Sequence, residues 1–167
     1  MTILIADSSV IIDLERGDLL ELAFSCGLVL AVPDVLYMAE LEGHNGVYLR
    51  SLGLAVLPLN PEELAFAQDL NAGRPALSLS DCFALTCARR AQHELLTGDG
   101  NLRREATDRG VAVHGLLWLL DAMLATGQIA PAALHQGLSA ISADSRCRLP
   151  GDEVKRRLKG WELGQAD

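Results

Sequence analysis

Short apolar runs alternate with amphipathic stretches along most of the chain. The first run, TILIA, is continuous rather than alternating and stops at Asp7, which indicates a strand covered on both faces. Further strands are predicted at residues 28 to 32, 54 to 59, 94 to 97 and 111 to 113. Helix-like stretches separate these runs, so the pattern predicts an α/β fold with a mainly parallel sheet.

The stretches between the predicted strands carry start and stop signals of helices. Asn60, Pro61 and Glu63 match a capping box with proline at the first helical position. Other helices are predicted over residues 8 to 17, 18 to 25 and 34 to 43, from about Ser80, after Asp99, and over 116 to 127. The pattern changes after Gly127. We expect residues 1–127 to form the main domain and residues 128–167 to form a C-terminal helical extension packed on it.

Composition narrows the possible functions. A chain of 167 residues that is 50% hydrophobic is long enough for one domain with its own core. Its net charge of −8 argues against a nonspecific nucleic-acid binder but leaves room for a local basic groove. The four cysteines and four histidines show no zinc-binding spacing. With no leader peptide and no membrane-spanning run, we expect a cytoplasmic protein that does not enter a membrane.

Four acidic residues stand out by their positions. Asp7 and Asp99 follow predicted strands, and ligands of open α/β sheets gather at the carboxyl ends of strands. Asp81 lies in the first turn of a predicted helix, where an acid also complements the helix dipole. Glu40 lies within the predicted helix 34 to 43, where an exposed acid is ordinary and Glu42 is a rival on another face.

The stretch TGDGN around Asp99 permits several interpretations. Asp-Gly is a common turn former, so a simple turn remains open. Neither GxxxxGK[ST] nor GxGxxG occurs, which argues against a phosphate-binding loop. The first lysine is Lys155, and DSS stands where an aspartate-based phosphatase would have DxD. These features exclude a receiver-like domain and such a phosphatase.

Three segments together resemble a PIN domain, and in particular the small nuclease toxins of VapBC-type toxin–antitoxin pairs. They are ILIADSSVIIDLERG, VPDVLYMAELEG and LSLSDCFALTCARRAQHELLTGDGNLRREATDRGVAVHG. The resemblance covers about residues 2 to 125. It implies a PIN-like three-layer sandwich, with a parallel sheet of about five strands flanked by helices.

The resemblance also implies a function and a site. It assigns metal binding and catalysis to Asp7, Glu40, Asp81 and Asp99, with Mg²⁺ or Mn²⁺ as cofactor and RNA as substrate. Hard divalent cations prefer carboxylate oxygen and water, and they neutralise charge on a scissile phosphate. Carboxylates that share a pocket repel each other, which creates demand for a cation.

Four further residues complete the predicted site. Ser9 matches a supporting hydroxyl position, and Asn101 stands where some relatives have another acid. Arg103 and Arg104 are candidate RNA contacts because they follow Asp99 by about one helical turn. The expected partners are a cognate antitoxin protein and a second copy in a homodimer. The alternative is a PIN-like binding module with weak or lost catalysis, acting through dimerisation and partner sequestration.

Overall fold

The computed structural model describes residues 1–164, and the side chains of residues 1–162. Within this range the strands are β1 (Ile3–Ala6), β2 (Val29–Pro33), β3 (Ala55–Leu57), β4 (His93–Leu96) and β5 (Val113–His114). The helices are α1 (Ser8–Arg16), α2 (Leu20–Ser25), α3 (Asp34–Leu36), the π-helix Tyr37–Leu41, α4 (Gly46–Leu52), α5 (Pro61–Gly73), α6 (Leu79–Ala88), α7 (Gly100–Asp108), α8 (Leu116–Ala125), α9 (Pro131–Ala143) and α10 (Gly151–Gly164).

The strands form one parallel sheet that helices flank. In the described part of the chain it has five strands in the order β3-β2-β1-β4-β5. The chain moves outward from β1 to β3 and then returns to add β4 on the other side of β1. The strand order therefore reverses between β1 and β4, and a crevice opens there at the carboxyl ends of the strands. The α/β fold with a parallel sheet is confirmed.

The two central strands and helix α6 form the middle of the core. Ile5 on β1 and Leu95 on β4 pair in register and are fully buried. All residues from Cys82 to Ala88 on α6 are buried, and this helix packs on β1, β2 and α5. A helix that is apolar on every side is stable only when it is covered on every side. The acid at its first turn is thereby held beside the sheet.

The local predictions are confirmed in part. The capping box of α5 is present, with Asn60 accepting from the Glu63 amide at 2.8 Å and Glu63 accepting from the Asn60 amide at 3.0 Å. The predicted strand at 111 to 113 instead occupies Val113–His114, and helix α4 was not predicted. Its glycine, Gly46, packs against the Tyr37 ring, so α4 is set by a tertiary contact that no local pattern shows.

The helix predicted over residues 34 to 43 is the least regular element. Only Asp34–Leu36 is α-helical, and Tyr37–Leu41 continues as a π-helix. π-Helical turns are rare and often lie at functional sites. The prediction of one regular helix is wrong here, because a single turn of wider register cannot be read from apolar spacing.

The C-terminal helices pack on the rest of the fold. Helix α9 contacts α1, and α10 contacts α9. Gly137 on α9 lies against Leu19, and Trp161 on α10 is buried. The boundary at Gly127 stays a prediction, and residues 165–167 of the predicted extension lie outside the described residues. Over residues 1–164, no helix is both long and apolar enough to cross a membrane.

Candidate active site

Asp7 lies at the centre of the crevice, directly after β1. It is 6% exposed and forms the N-cap of α1. Its Oδ1 accepts hydrogen bonds from Ser9 Oγ at 2.5 Å and from the Val10 amide at 3.2 Å. Its Oδ2 accepts from the Thr97 hydroxyl. The Asp7 carboxylate is therefore positioned by the end of β1 and the start of α1, and it is held by hydrogen bonds from two hydroxyls.

Thr97 joins the two strand ends across the crevice. It is fully buried after β4, and its Oγ1 also accepts from the Asp99 amide at 3.0 Å. Asp99 is the N-cap of α7, because its Oδ1 accepts from the Leu102 amide at 2.8 Å. One hydroxyl thus holds Asp7 and the loop of Asp99 in a fixed relation. Sequence reasoning missed Thr97, although a hydroxyl two residues before a strand-end acid was the available signal.

Asp81 reaches the same region from the start of α6. Ser78 is the N-cap, and the pair forms a capping box with both hydrogen bonds at 3.0 Å. Asp81 is half-buried. The dipole interpretation of its position is thus correct, and it does not compete with a role in the site. The helix begins at Leu79, one residue before the predicted start near Ser80, so Asp81 still lies in its first turn.

Glu40 lies on the π-helix and is exposed. It borders a groove of about 440 Å³ between α1 and the π-helix, together with His44 and Arg146. Its charge still reaches Asp81. Glu40 therefore influences the crevice through its charge and does not form part of its fixed lining.

The acids are coupled through their charges. Burial raises the pKa of Asp7, hydrogen bonds from Ser9, Thr97 and the Val10 amide oppose this, and the charge of Asp81 adds to the rise. Burial also raises the pKa of Asp81, against its bonds to Ser78, and the charges of Asp99 and Glu40 raise it further. Asp81 is therefore within electrostatic range of Asp7, Asp99 and Glu40.

Among the described residues, no ion pair balances this charge. Across residues 1–164, none of the four acids forms an ion pair with arginine, lysine or histidine. The same residues contain no set of three acidic, histidine or cysteine side chains close enough together to hold a metal ion. Burial raises the pKa of the neighbouring Cys82 thiol to about 11, so this thiol stays protonated at neutral pH in the absence of metal. The donors available to a cation are therefore carboxylate oxygens, which suits a hard divalent ion.

The supporting residues occupy different surroundings. Ser9 contacts Asp7 as described. Asn101 is exposed on α7, and its side-chain oxygen accepts from Arg104. Arg103 donates to the Thr97 carbonyl at 3.4 Å and so lies at the edge of the crevice. Arg104 is held by Asn101 instead.

Comparison with known proteins identifies the family. No curated protein matches the chain. A family model, DUF3368, described as a PIN domain, matches residues 3–162. This match includes every strand of the sheet, the four acids and nearly all of α10. The chain therefore belongs to the PIN-domain family.

Proposed function

We propose that the protein is a metal-dependent endoribonuclease that hydrolyses phosphodiester bonds of RNA. PIN domains are typically nucleases. The observation that carries the proposal is the buried carboxylate of Asp7, which has no balancing cation in the described chain and feels the charge of Asp81. A buried, unpaired carboxylate is costly, and a bound cation offsets that cost.

The residues have distinct proposed roles. Asp7, Asp81 and Asp99 would hold Mg²⁺ or Mn²⁺ directly or through water, and Glu40 would bind it or orient a water molecule. The ion would neutralise the scissile phosphate and make water a nucleophile near neutral pH. Because the described residues contain no preformed set of three such ligands, binding of the ion would require these carboxylates to move closer together.

Three groups would support these acids. Ser9 and Thr97 keep the Asp7 carboxylate oriented through their hydroxyl hydrogen bonds. Asn101 is neutral and already accepts from Arg104, so it would bind an ion only through water. Asn101 therefore has no direct ligand role in this proposal.

The biological role we propose is that of a toxin in a toxin–antitoxin pair. Such a nuclease would act on RNA in the cytoplasm, would be neutralised by a cognate antitoxin, and would form a homodimer. The alternative is a PIN-like binding module with weak or lost catalysis. One observation favours it: no three acidic, histidine or cysteine side chains within residues 1–164 are yet grouped as metal ligands.

Cleavage of labelled RNA tests the proposal. Wild type and Asp7→Asn are compared with Mg²⁺, with Mn²⁺ and with a chelator, and Asp69→Asn serves as a control that removes an exposed acid from helix α5. We expect wild type and Asp69→Asn to cleave only with metal. We expect Asp7→Asn to lose at least about 100-fold in rate, as when a transition-state electrostatic contact is removed.

Calorimetric titration with Mn²⁺ separates the two candidate functions. Metal binding by wild type but not by Asp7→Asn, together with cleavage, supports the nuclease. Cleavage that Asp7→Asn and the chelator leave unchanged would expose a contaminating nuclease. A wild-type protein that binds neither Mn²⁺ nor Mg²⁺ would exclude the metal site and leave the binding module.

A further inference from the structure

A second groove lies beside the candidate active site, on the β5 side of the sheet. Its volume is about 410 Å³, and its lining includes Gly98, Arg103, Trp118, Arg148 and Leu149. We call it the Trp118 groove. Gly98 directly precedes Asp99, so the groove adjoins the acidic crevice. The loop between α9 and α10 supplies its far wall.

Trp118 forms a fixed aromatic surface in this groove. Its ring stacks on His114 with centroids 3.7 Å apart and planes 10° from parallel. The His114 ring is itself held by Glu94 at 2.9 Å. The tryptophan remains 37% exposed, which is high for a residue at the start of an apolar helix. One ring face is supported, and the exposed part is available for stacking.

Two arginines of the groove keep their charge uncompensated. Arg103 and Arg148 form no ion pair with any residue in the range 1–164. The protein as a whole has a net charge of −8, so two arginines without an ion pair among the described residues make this groove locally positive. Arginine binds phosphate through paired hydrogen bonds.

The other charges of the groove are already paired. Arg157 is bound by Asp121 at 2.7 Å and by Glu153 at 3.2 Å. Asp13 is bound by Arg16 at 3.2 Å. Because Asp13 and Glu153 are paired with arginines, they repel a bound anion less strongly. The positive charge of the groove therefore comes from Arg103 and Arg148.

The lack of a side chain at Gly115 leaves room for the Arg103 guanidinium. The Arg103 guanidinium donates to the Thr97 carbonyl at 3.4 Å. A Cβ on Gly115 would lie 2.8 Å from Nη2 of that guanidinium. A larger residue would therefore displace Arg103 from its position between the candidate active site and Trp118.

We propose that the Trp118 groove binds a segment of single-stranded RNA, with a base stacked on Trp118 and phosphates bound by Arg103 and Arg148. The proposal rests on the proposed function in taking RNA as the ligand. Unpaired bases expose ring faces that stack on aromatic side chains, whereas the bases of a duplex are covered. The groove would guide the strand from the metal site towards the C-terminal helices, which gives the α9–α10 loop a role in substrate selection.

Binding is measured with the full chain in chelator, so that cleavage plays no part. The probe is a fluorescein-labelled oligoadenylate of about 12 nucleotides, within the usual site size of single-strand binders. We expect Trp118→Ala and Arg148→Ala each to weaken binding about tenfold. Arg148→Ala should also reduce the slope of log K against log salt by about 0.7, whereas Trp118→Ala should leave that slope unchanged.

Tryptophan fluorescence gives an independent readout. The chain has two tryptophans, and Trp161 is only 6% exposed, so RNA-dependent quenching should come from Trp118. We expect Trp118→Phe to abolish the quenching and Trp161→Phe to retain it. Quenching that survives in Trp118→Phe would overturn the stacking contact.

Matched controls separate a specific groove from general charge. Arg50→Ala removes an arginine from α4, which leads into β3 at the opposite edge of the sheet from β5. It should change affinity less than twofold. Equal weakening by Arg50→Ala would overturn the proposal. So would equal binding of a duplex of the same length, or equal competition by a polyglutamate peptide, which would identify a general anion-binding surface.

The outcome is distinguishable from that of the proposed function. If wild type cleaves RNA with metal but Trp118→Ala and Arg148→Ala bind normally, the groove proposal is wrong and the nuclease stands. If wild type binds the oligonucleotide through Trp118 but never cleaves RNA, the groove stands and the nuclease proposal fails.

Discussion

Replacing Thr97 by valine tests whether one buried hydroxyl organises the acidic crevice. Valine keeps the shape of threonine but removes the donor to Asp7 and the acceptor for the Asp99 amide. Thr97 is 0% exposed and Asp7 is 6% exposed, so water cannot replace the hydroxyl at the carboxylate without rearrangement. The substitution therefore leaves a buried carboxylate oxygen without its donor.

The expected loss of stability follows from these contacts. A hydrogen bond to a charged group contributes about 1.5–3 kcal/mol. The Asp99 amide belongs to an exposed residue, so water can replace its lost acceptor at little cost. We therefore expect Thr97→Val to lower the free energy of unfolding of the metal-free protein by about 2–3 kcal/mol at neutral pH.

Urea unfolding followed by circular dichroism in chelator measures this loss. Thr86→Val is the matched control, because Thr86 is also buried and its hydroxyl donates only to the Cys82 carbonyl of its own helix. That carbonyl keeps its helical partner, so we expect a loss below about 1 kcal/mol. The Thr97 hydrogen bond lowers the pKa of Asp7 by favouring its charged form. The difference between the two variants should therefore shrink as falling pH protonates Asp7.

A double-mutant cycle provides the decisive comparison. In an Asp7→Asn background the Thr97 hydroxyl no longer meets a charge, so Thr97→Val should cost at least about 1 kcal/mol less than in wild type. An equal cost in both backgrounds would refute the idea that Thr97 acts through Asp7. A cost no larger than that of Thr86→Val would refute it as well.

Three further predictions follow from the same geometry. Burial raises the pKa of Asp7 above 3.8, so the contribution of this group to stability is greatest below that pH and is lost as the pH rises through the folded-state pKa. Asp7→Asn should therefore stabilise the metal-free protein at neutral pH by about 1 kcal/mol, as measured by thermal unfolding. A destabilised variant would contradict this prediction. Protons compete with metal at Asp7 and Asp81, so Mn²⁺ affinity measured by calorimetry should decline on acidification beginning above pH 3.8, whereas a pH-independent affinity would exclude both acids as ligands. A Cβ on Gly137 would lie 2.6 Å from Leu19, so Gly137→Ala should lower the free energy of unfolding in urea by about 1–3 kcal/mol. Gly160 on α10 has open space around it, so the control Gly160→Ala should raise that free energy by about 0.5–1 kcal/mol. Equal effects of the two substitutions would mean that α9 is not packed on the rest of the fold.

Strands β1 and β2 were predictable because they are buried on both faces. A buried parallel strand is a continuous apolar run, and its end is marked by the first residue that requires a hydrogen-bonding partner. Asp7 ends such a run, and Thr97 ends another. Because parallel strands end at the same edge of a sheet, the same rule predicts Asp7 and Asp99 at one edge.

The features that could not be predicted from the sequence depend on contacts between distant segments of the chain. Thr97 reads as an ordinary strand residue until Asp7 is found opposite it. Gly46 starts α4 against the Tyr37 ring, a contact without a local signature. Glu40 was expected on a regular helix, but the π-helix changes the direction in which side chains of this segment leave the backbone. Tertiary packing, rather than propensity, decides each of these positions.

The position of β4 has a consequence for how the protein is made. Thr97 and Asp7 are 90 residues apart, and β4 completes the sheet on the side of β1 that β2 leaves open. During synthesis from the N-terminus, the first half of the chain can pair β1 with β2 and β2 with β3, but it lacks the residues that close the crevice. At typical elongation speeds of about 5–20 residues per second, several seconds separate the synthesis of the two halves of the site. A ribosome-bound fragment that ends before β4 lacks Thr97 and Asp99, so under the proposed function RNA cleavage would begin only after most of the domain has been translated.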